Sequence, residues 1–479
     1  MGLRDKVIGG VAWSFAERFS AQLVSFVVSI ILARLIAPEA FGVIAIVFVF
    51  TSVLDTFATA GFGSALIQKE NADSLDFSTV FHFNFVFSVF LYICLFIAAP
   101  FIARFYNMPI VEPVIKVIGT RVIFAGVNSV QRAYVSRNMQ FKRFFYSTFA
   151  GTVLSAIIGI SMAYAGFGIW ALVAQYLSNA VFGTLVLFLI IDWRPKREFS
   201  FQRLKSLFNY GWKLLGSSLL STVYVELSDL IIGKVYTASS LAFYNRGKKF
   251  PQIFVTQINS SIDTVLFAAM AKHQNDKDKL KSDISHAVRM SSFLLFPLIF
   301  GLAVVAESVI VLLLTDKWID SVIYLQIACI SYALLPISIA NIQAIKAMGR
   351  SDIYLLIDVI KKIIGVSLLF CFFKEGVVAI ALADAASNVI GLFINVFPNK
   401  KMINCSFMDM MRDIFPSLVF AGIMCIAVYC IGLLGMPVIL KLTTQIIVGA
   451  LTYFGTAYLF KNKTLLELLQ IVKSFSKRI

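Results

Sequence analysis

Charge is what this sequence has least of. Only 14% of its 479 residues are Asp, Glu, Lys or Arg, against roughly 25% in a soluble globular protein. That shortage excludes a sizeable soluble domain. Histidine is nearly absent too, and His82, His273 and His286 are too scattered to form a metal site. The six cysteines (Cys94, Cys329, Cys371, Cys405, Cys425 and Cys430) include no CxxC pair. They read as small apolar residues packed between helices rather than as redox or zinc ligands. No Ser/His/Asp arrangement, HExxH or Walker-type phosphate loop occurs, so neither an enzyme nor an ATP-driven pump is expected, and no cofactor is called for.

What fills the sequence is hydrophobic, at 59% of residues. The apolar residues gather into stretches near 10–33, 41–62, 79–102, 113–132, 144–165, 169–191, 211–233, 241–268, 285–310, 319–341, 353–373, 377–397, 413–434 and 439–460. A hydrocarbon core roughly 30 Å thick takes about 20 helical residues to cross, and backbone polar groups cannot be left unpaired in lipid. The chain is therefore expected to be an all-α polytopic membrane protein of about 14 transmembrane helices. The first stretch is too long for a signal-peptide core and is read as an uncleaved span. Gly2 is followed by Lys6 where myristoylation needs Ser or Thr.

The net charge of +16 would suggest nucleic acid in a soluble protein, but here it reports topology. With the amino terminus inside, alternate links hold Arg132, Arg137, Lys142 and Arg143, then Arg194, Lys196, Arg197, Arg203 and Lys205, then Lys272, Lys277, Lys279 and Lys281. Later inside segments add Lys346, Arg350, Lys400, Lys401, Lys461, Lys463, Lys473, Lys477 and Arg478. About two dozen basic residues fall inside and about seven outside, so both termini are expected in the cytoplasm.

A pattern recurs about 200 residues along the chain. Trp13 precedes Ile31-Leu32-Ala33-Arg34-Leu35-Ile36 and Phe41-Gly42; Trp212 precedes Ile231-Ile232-Gly233-Lys234-Val235-Tyr236 and Leu241-Ala242. Six spans separate the copies, so both cross in the same direction. Two six-helix lobes follow, related by a pseudo-two-fold axis along the membrane normal and enclosing a central cavity, plus a final helix pair. The division is residues 1–191 (spans 1–6), a basic cytoplasmic linker at 192–210, residues 211–400 (spans 7–12), and 401–479 (spans 13–14 and an amphipathic cytoplasmic tail). The stretch from Phe199 to Phe208 and the tail from Thr464 are amphipathic, as helices on an inner leaflet of membrane lipid would be.

Charges inside spans are costly, so they face water or a partner. The basic candidates are Arg18, Arg121, Lys213, Arg246, Lys248, Lys249 and Arg289. They can form a cationic cavity for a phosphate or pyrophosphate, which Arg grips with paired hydrogen bonds. Lys213, Lys248, Lys249 and Arg289 lie near span ends and can equally reach the headgroups. Among the acids, Glu226 and Asp229 share one face of span 7 with no base within a turn. They hold a proton or cation between them, or else face water or another helix. Asp384 and Asn388 share a face of span 12 and can supply oxygens to Na⁺. Na⁺ or H⁺ is thus the expected coupling ion.

The block Leu32-Ala33-Arg34-Leu35-Ile36-Ala37-Pro38-Glu39-Ala40-Phe41-Gly42, followed by Asp55-Thr56-Phe57-Ala58-Thr59-Ala60-Gly61-Phe62-Gly63-Ser64-Ala65-Leu66-Ile67-Gln68, resembles the opening of bacterial Wzx-like polysaccharide flippases of the colanic-acid and teichuronic-acid exporter type. Phe243-Tyr244-Asn245-Arg246, Asp316-Lys317-Trp318 and Met348-Gly349-Arg350-Ser351-Asp352 extend the resemblance along nearly the whole chain. It implies membership of the multidrug/oligosaccharidyl-lipid/polysaccharide exporter superfamily, with two six-helix lobes opening alternately to either side. It implies a flippase for undecaprenyl-pyrophosphate-linked oligosaccharides in the bacterial inner membrane, driven by an ion gradient or membrane potential. A polysaccharide polymerase and export machinery are the expected partners, and no nucleic acid is. Arg18 sits where related flippases carry a basic residue. The alternative is a cation-coupled multidrug antiporter of the same superfamily, which would have an acidic or aromatic cavity.

Overall fold

The computed structural model describes the backbone of residues 3–59, 61–274 and 276–476, with side chains described there except at 3–12, 14, 15, 18, 257–265, 267, 268, 471, 472 and 474–476. Among the described residues there is no strand. The first long helices are α1 (Leu3–Leu35), α2 (Pro38–Thr59), α3 (Ser74–Tyr106), α4 (Val111–Arg137), α5 (Phe141–Tyr164), α6 (Ile169–Ile190) and α7 (Phe201–Val235). The chain continues with α8 (Ala238–Lys272), α9 (Lys277–Val304), α10 (Ser321–Ala347), α11 (Ser351–Phe372), α12 (Val377–Ile403), α13 (Phe407–Gly432) and α14 (Val438–Leu459), and α15 (Lys463–Ser476) follows.

Each expected span falls on one of α1 to α14. Among the described residues, 11 helices are long and apolar enough to cross a membrane. The others are α1, whose described apolar stretch is Phe19–Leu35, α8, which carries Arg246, Lys248 and Lys249, and α11, which carries Asp358, Lys361 and Lys362 at its middle. The chain is a multi-pass membrane protein.

Local chemistry sets the helix ends. Ser200 caps α7 by accepting the Arg203 N–H at 3.4 Å. The amphipathic stretch from Phe201 therefore runs on into the span, correcting the expectation of a separate surface helix there. Asp73 and Asp76 form a reciprocal capping box at the start of α3, and Ser406 and Asp409 do the same for α13. Two spans are broken: α4 at Gly119–Thr120, and α10 at Leu334, just before Pro336 in the first turn of the second half. The spacing seen in the sequence recurs in the helices, since α1 ends at Leu35 and α2 begins at Pro38, while α7 ends at Val235 and α8 begins at Ala238.

The chain forms two compact units, Met1–Ala242 and Phe243–Ile479. Compactness and repeat symmetry are separate properties: α7 packs on α2 and α3 in the first unit, and the lobe division at 192–210 stays a proposal. In the first unit Val43, Ile44 and Val47 of α2 pack with Val111, Val114, Ile115 and Ile118 of α4 and Leu172 of α6. Two glycines fix how closely α2 and its continuation approach their neighbours. A Cβ on Gly42 would lie 1.8 Å from the carbonyl oxygen of Ala238, and one on Gly61, at φ +95°, would lie 2.6 Å from that of Gly211.

In the second unit α9 packs on α10 and α13, α13 on α14, and α12 on α10 and α11. Large side chains such as Leu189, Phe101 and Leu451 stay exposed on the outer surfaces. In water such a surface would be a liability; for a membrane helix it is the face that meets lipid.

Candidate functional site

Ser52, Asp55, Thr56 and Thr59 recur every three to four residues along α2, giving an apolar helix one polar stripe. Each hydroxyl gives its proton to the helix's own backbone: Ser52 to Val49 O at 3.1 Å, Thr56 to Ser52 O at 2.9 Å and Thr59 to Asp55 O at 2.7 Å. Facing the stripe is α7, and the two helices border an open cavity of about 390 Å³ lined by Ser52, Asp55, Thr56, Ser221, Thr222, Val225 and Glu226. Only Val225 of this set is apolar.

One oxygen of Asp55 accepts the Arg121 guanidinium at 2.5 Å. Arg121 comes from the first turn after the break in α4 and lies over the Phe48 ring, 5.1 Å from its centroid. The other oxygen of Asp55, Oδ1, is buried with no hydrogen-bond partner. Thr56 and Thr222 hydroxyls meet at 3.0 Å across the cavity. Either hydroxyl can be the donor. The Glu226 carboxylate lies within hydrogen-bond reach of Ser52.

The sequence-selected residues are placed as follows. Arg18 is on α1 and its side chain lies outside the described residues. Beside it Glu17 is buried, accepting Thr148 at 2.8 Å and Arg132 at 3.5 Å. Glu226 lines the α2–α7 cavity and Arg121 reaches it through Asp55, whereas Asp229, three residues from Glu226, is not in that lining and interacts electrostatically with Tyr106. Lys213 is exposed on α7.

In the second unit Lys248 and Asp384, read from sequence as serving different ligands, meet each other. Tyr244 donates to Asp384, and the Lys248 ammonium lies 2.7 Å from the Tyr244 hydroxyl and 3.5 Å from Asp384. Arg246 lies over the Trp318 ring at 5.1 Å, and Arg289 faces Asp413 at 3.9 Å. Asn388 donates to Ser331 at 2.8 Å.

Further rungs repeat along α12: Asn395 donates to Ser338, and Asn399 to the Asn341 side chain at 2.7 Å. Asp358 is taken by Lys362 at 2.8 Å. No group of three or more His, Cys, Asp or Glu able to hold a metal occurs among the described residues.

Sequence reasoning counts Asp55 among the acids inside spans but assigns it no site, and it does not single out Tyr244, the link in the second cluster. The signal for Asp55 was the Ser52/Asp55/Thr56/Thr59 stripe; Tyr244 stood out only as part of the Phe243–Arg246 block.

The family model described as polysaccharide biosynthesis protein matches residues 31–323. The chain belongs to this family. The match bears out the resemblance read from the Leu32–Gly42 and Asp55–Gln68 blocks. Succinoglycan biosynthesis transport protein ExoT of Rhizobium meliloti is 23% identical over 72% of this chain and 70% of its own length. Lipopolysaccharide biosynthesis protein WzxC of Escherichia coli is 24% identical over 82% of this chain and 79% of its own. Teichuronic acid biosynthesis protein TuaB of Bacillus subtilis is 23% identical over 82% of this chain and 83% of its own. Among solved structures, the lipid II flippase MurJ in an inward closed conformation matches with a TM-score of 0.76 at 15% identity, over 94% of this chain and 98% of that one. A multidrug resistance MATE family transporter of the MOP superfamily matches at 0.62 and 14% identity, over 80% of this chain and 94% of that one. The fold of this polysaccharide biosynthesis protein is thus the one these transporters share.

Proposed function

We propose that the protein is a flippase carrying undecaprenyl-pyrophosphate-linked oligosaccharide repeat units across the bacterial inner membrane for assembly of a surface polysaccharide. It works by alternating access coupled to an ion gradient or the membrane potential. One observation carries this reading: a member of a polysaccharide biosynthesis family is built of membrane helices with short links, as Gly166-Phe167-Gly168 between α5 and α6 illustrates. With no room for a catalytic domain in such links, translocation is the step left to it. The names of ExoT, a transport protein, and of MurJ, a lipid II flippase, support the same class.

The pyrophosphate is held by cations rather than by a metal. Arg18, Arg246 and Arg289 are the residues assigned to it, while Lys248 is engaged by Asp384 and Tyr244 and sets local geometry. Both termini face the cytoplasm, and the polymerase and export machinery take the product on the outer side.

A second reading, a cation-coupled multidrug antiporter, is favoured by one feature: the α2–α7 cavity carries Asp55 and Glu226. The deciding measurement is the sidedness of the lipid-linked oligosaccharide in cells depleted of the protein, read with a reagent confined to the outer leaflet. Accumulation on the inner face, reversed by restoring the protein, is expected. Unchanged sidedness in a strain lacking any redundant flippase, together with lost drug resistance, would install the antiporter instead.

A further inference from the structure

The second unit carries surplus positive charge in the middle of a span. Lys361 is the eleventh of the 22 residues of α11, so roughly 15 Å of helix lies on either side of it. Snorkelling carries lysines near span ends to the headgroups; from mid-helix a four-carbon stem falls short. The neighbouring Lys362 is taken by Asp358 at 2.8 Å. Lys361 has no hydrogen bond or ion pair among the described residues, and the charges that act on it are Asp358, Lys362 and Lys346. One carboxylate thus stands among three ammonium groups. The link before α11 leaves that count unchanged, because Arg350 and Asp352 close on each other at 2.7 and 2.9 Å.

Packing gathers the surplus in one groove. Lys346 comes from the last turn of α10 and lies over the Tyr354 ring in the first turn of α11, 4.7 Å from its centroid. Helix side chains tilt toward the N-terminus, which brings Lys361 back toward Tyr354 and Lys346. The Lys361 stem is seated on α12 at Gly391, where a Cβ would lie 3.1 Å from its Cδ. Beside these groups Leu355, Val359 and Ile363 stay exposed along α11, and Leu355, Val359 and Lys362 follow one another at helical spacing.

An unpaired charge at this depth is unfavourable unless water or a partner meets it. The partner that suits both parts of the surface is an anion with apolar chains. A free phosphate ion would leave Leu355, Val359 and Ile363 unused. Basic pockets between spans do take lipid headgroups. We propose that the groove formed by α10, α11 and α12 binds the phosphate of an anionic phospholipid, held by Lys346 and Lys361, with the acyl chains along α11. Lys361 draws that phosphate below the ordinary headgroup level. The lipid belongs to the leaflet that the α10–α11 link reaches, which is the inner one in the topology proposed above. None of the arginines assigned to the pyrophosphate takes part, and the binding does not rest on the flippase reading.

The test is native mass spectrometry of the purified full-length protein in a non-ionic detergent, titrated with phosphatidylglycerol or with phosphatidylcholine. One phosphatidylglycerol per chain is expected to bind well before phosphatidylcholine does. Lys361→Met keeps the apolar stem and removes the charge; it should weaken phosphatidylglycerol about fivefold, the usual effect of one basic residue near anionic lipid. Lys346→Gln, at the exposed end, should do about the same and carries the test where Lys361→Met does not fold, as judged by its melting transition. Asp358→Asn releases Lys362 and should tighten binding. Lys463→Gln removes an equal charge on α15 and should change nothing.

Equal binding of the two lipids by the wild type, or unchanged phosphatidylglycerol binding in folded Lys361→Met and Lys346→Gln, overturns the proposal. So does weaker binding in Asp358→Asn, which would make the lysines a counter-charge for that carboxylate. Undecaprenyl pyrophosphate is the second probe. Binding of it that depends on Lys361, without binding of phosphatidylglycerol, assigns the groove to the transported lipid and removes the phospholipid.

Discussion

In the first unit Asp55 keeps an oxygen without a partner beside an open cavity, whereas in the second Asp384 is enclosed by Tyr244 and Lys248. Glu226 lines that cavity with the Ser52 hydroxyl in hydrogen-bond reach, while Asn388 and Asn399 donate to side chains on the neighbouring helix. Both regions place polar residues at helical spacing inside apolar helices. The difference lies in whether the protein completes the set. A completed set acts as glue and fixes register between helices.

The largest effect should come from moving α2 itself. Gly42→Val puts carbon atoms onto the backbone of Ala238, and overpacking against backbone cannot relax by a rotamer change. A loss of about 3 kcal/mol is expected, seen as a strongly lowered melting transition in detergent. Gly216→Ala has open space around the new methyl group and should leave that transition unchanged or slightly raised. Equal behaviour of the two variants would mean that α2 does not approach Ala238 as described.

The next effect sets the two clusters directly against each other. Asp384→Asn strips the Lys248 ammonium of its carboxylate in a half-buried site, and about 2 kcal/mol of stability should go with it. Glu226→Gln breaks no ion pair among the described residues and keeps a group that can hydrogen-bond Ser52, so the protein should hold its stability within about 0.5 kcal/mol. Thermal melts in choline buffer read both. If Glu226→Gln proves the more destabilising, the distinction between a completed and an uncompleted set fails.

Hydropathy carried the fold. Each of the fourteen stretches became a helix, because a lipid-crossing segment has to satisfy its backbone internally whatever its neighbours do. The blocks at 32–42 and 55–68 carried the family. Partnerships were the part that stayed hidden. Glu226 and Asp229 sit three apart and read as a pair, yet side chains that far along a helix differ by about 60° in direction. That is enough to place Glu226 in the cavity lining and leave Asp229 out of it. Arg121 was read as a substrate cation because its partner, Asp55, lies 66 residues away on another helix. Lys248 and Asp384 were given different ligands for the same reason, being 136 residues apart. The amphipathic stretch at Phe201 misled in the other direction, since its periodicity was right and only the absence of a break before α7 was invisible.

A smaller effect sharpens the account of the second unit. If the α12 rungs are glue, a double-mutant cycle of Asn395→Leu and Ser338→Ala should return a coupling of about 0.6 kcal/mol, the average for such bonds in membrane proteins. Zero coupling would make the rung incidental.

A last effect lies outside the membrane and depends on pH. Asp73 precedes α3, where its carboxylate accepts the Asp76 backbone N–H at 3.0 Å and Arg203 at 2.7 Å. The backbone hydrogen bond is the main reason its carboxyl titrates below its ordinary value, burial opposes it, and Arg203 adds to the lowering. A group whose folded value is depressed contributes stability that is fully present above its unfolded value. The contribution is lost as pH falls through the folded one. Asp73→Ala should therefore cost about 1 kcal/mol at pH 7, the usual value of an N-cap. The difference from wild type should shrink as melts are taken from pH 6 down past the ordinary carboxyl range. A difference that instead grew toward acid would mean that the protonated form of Asp73 is the one the cap prefers.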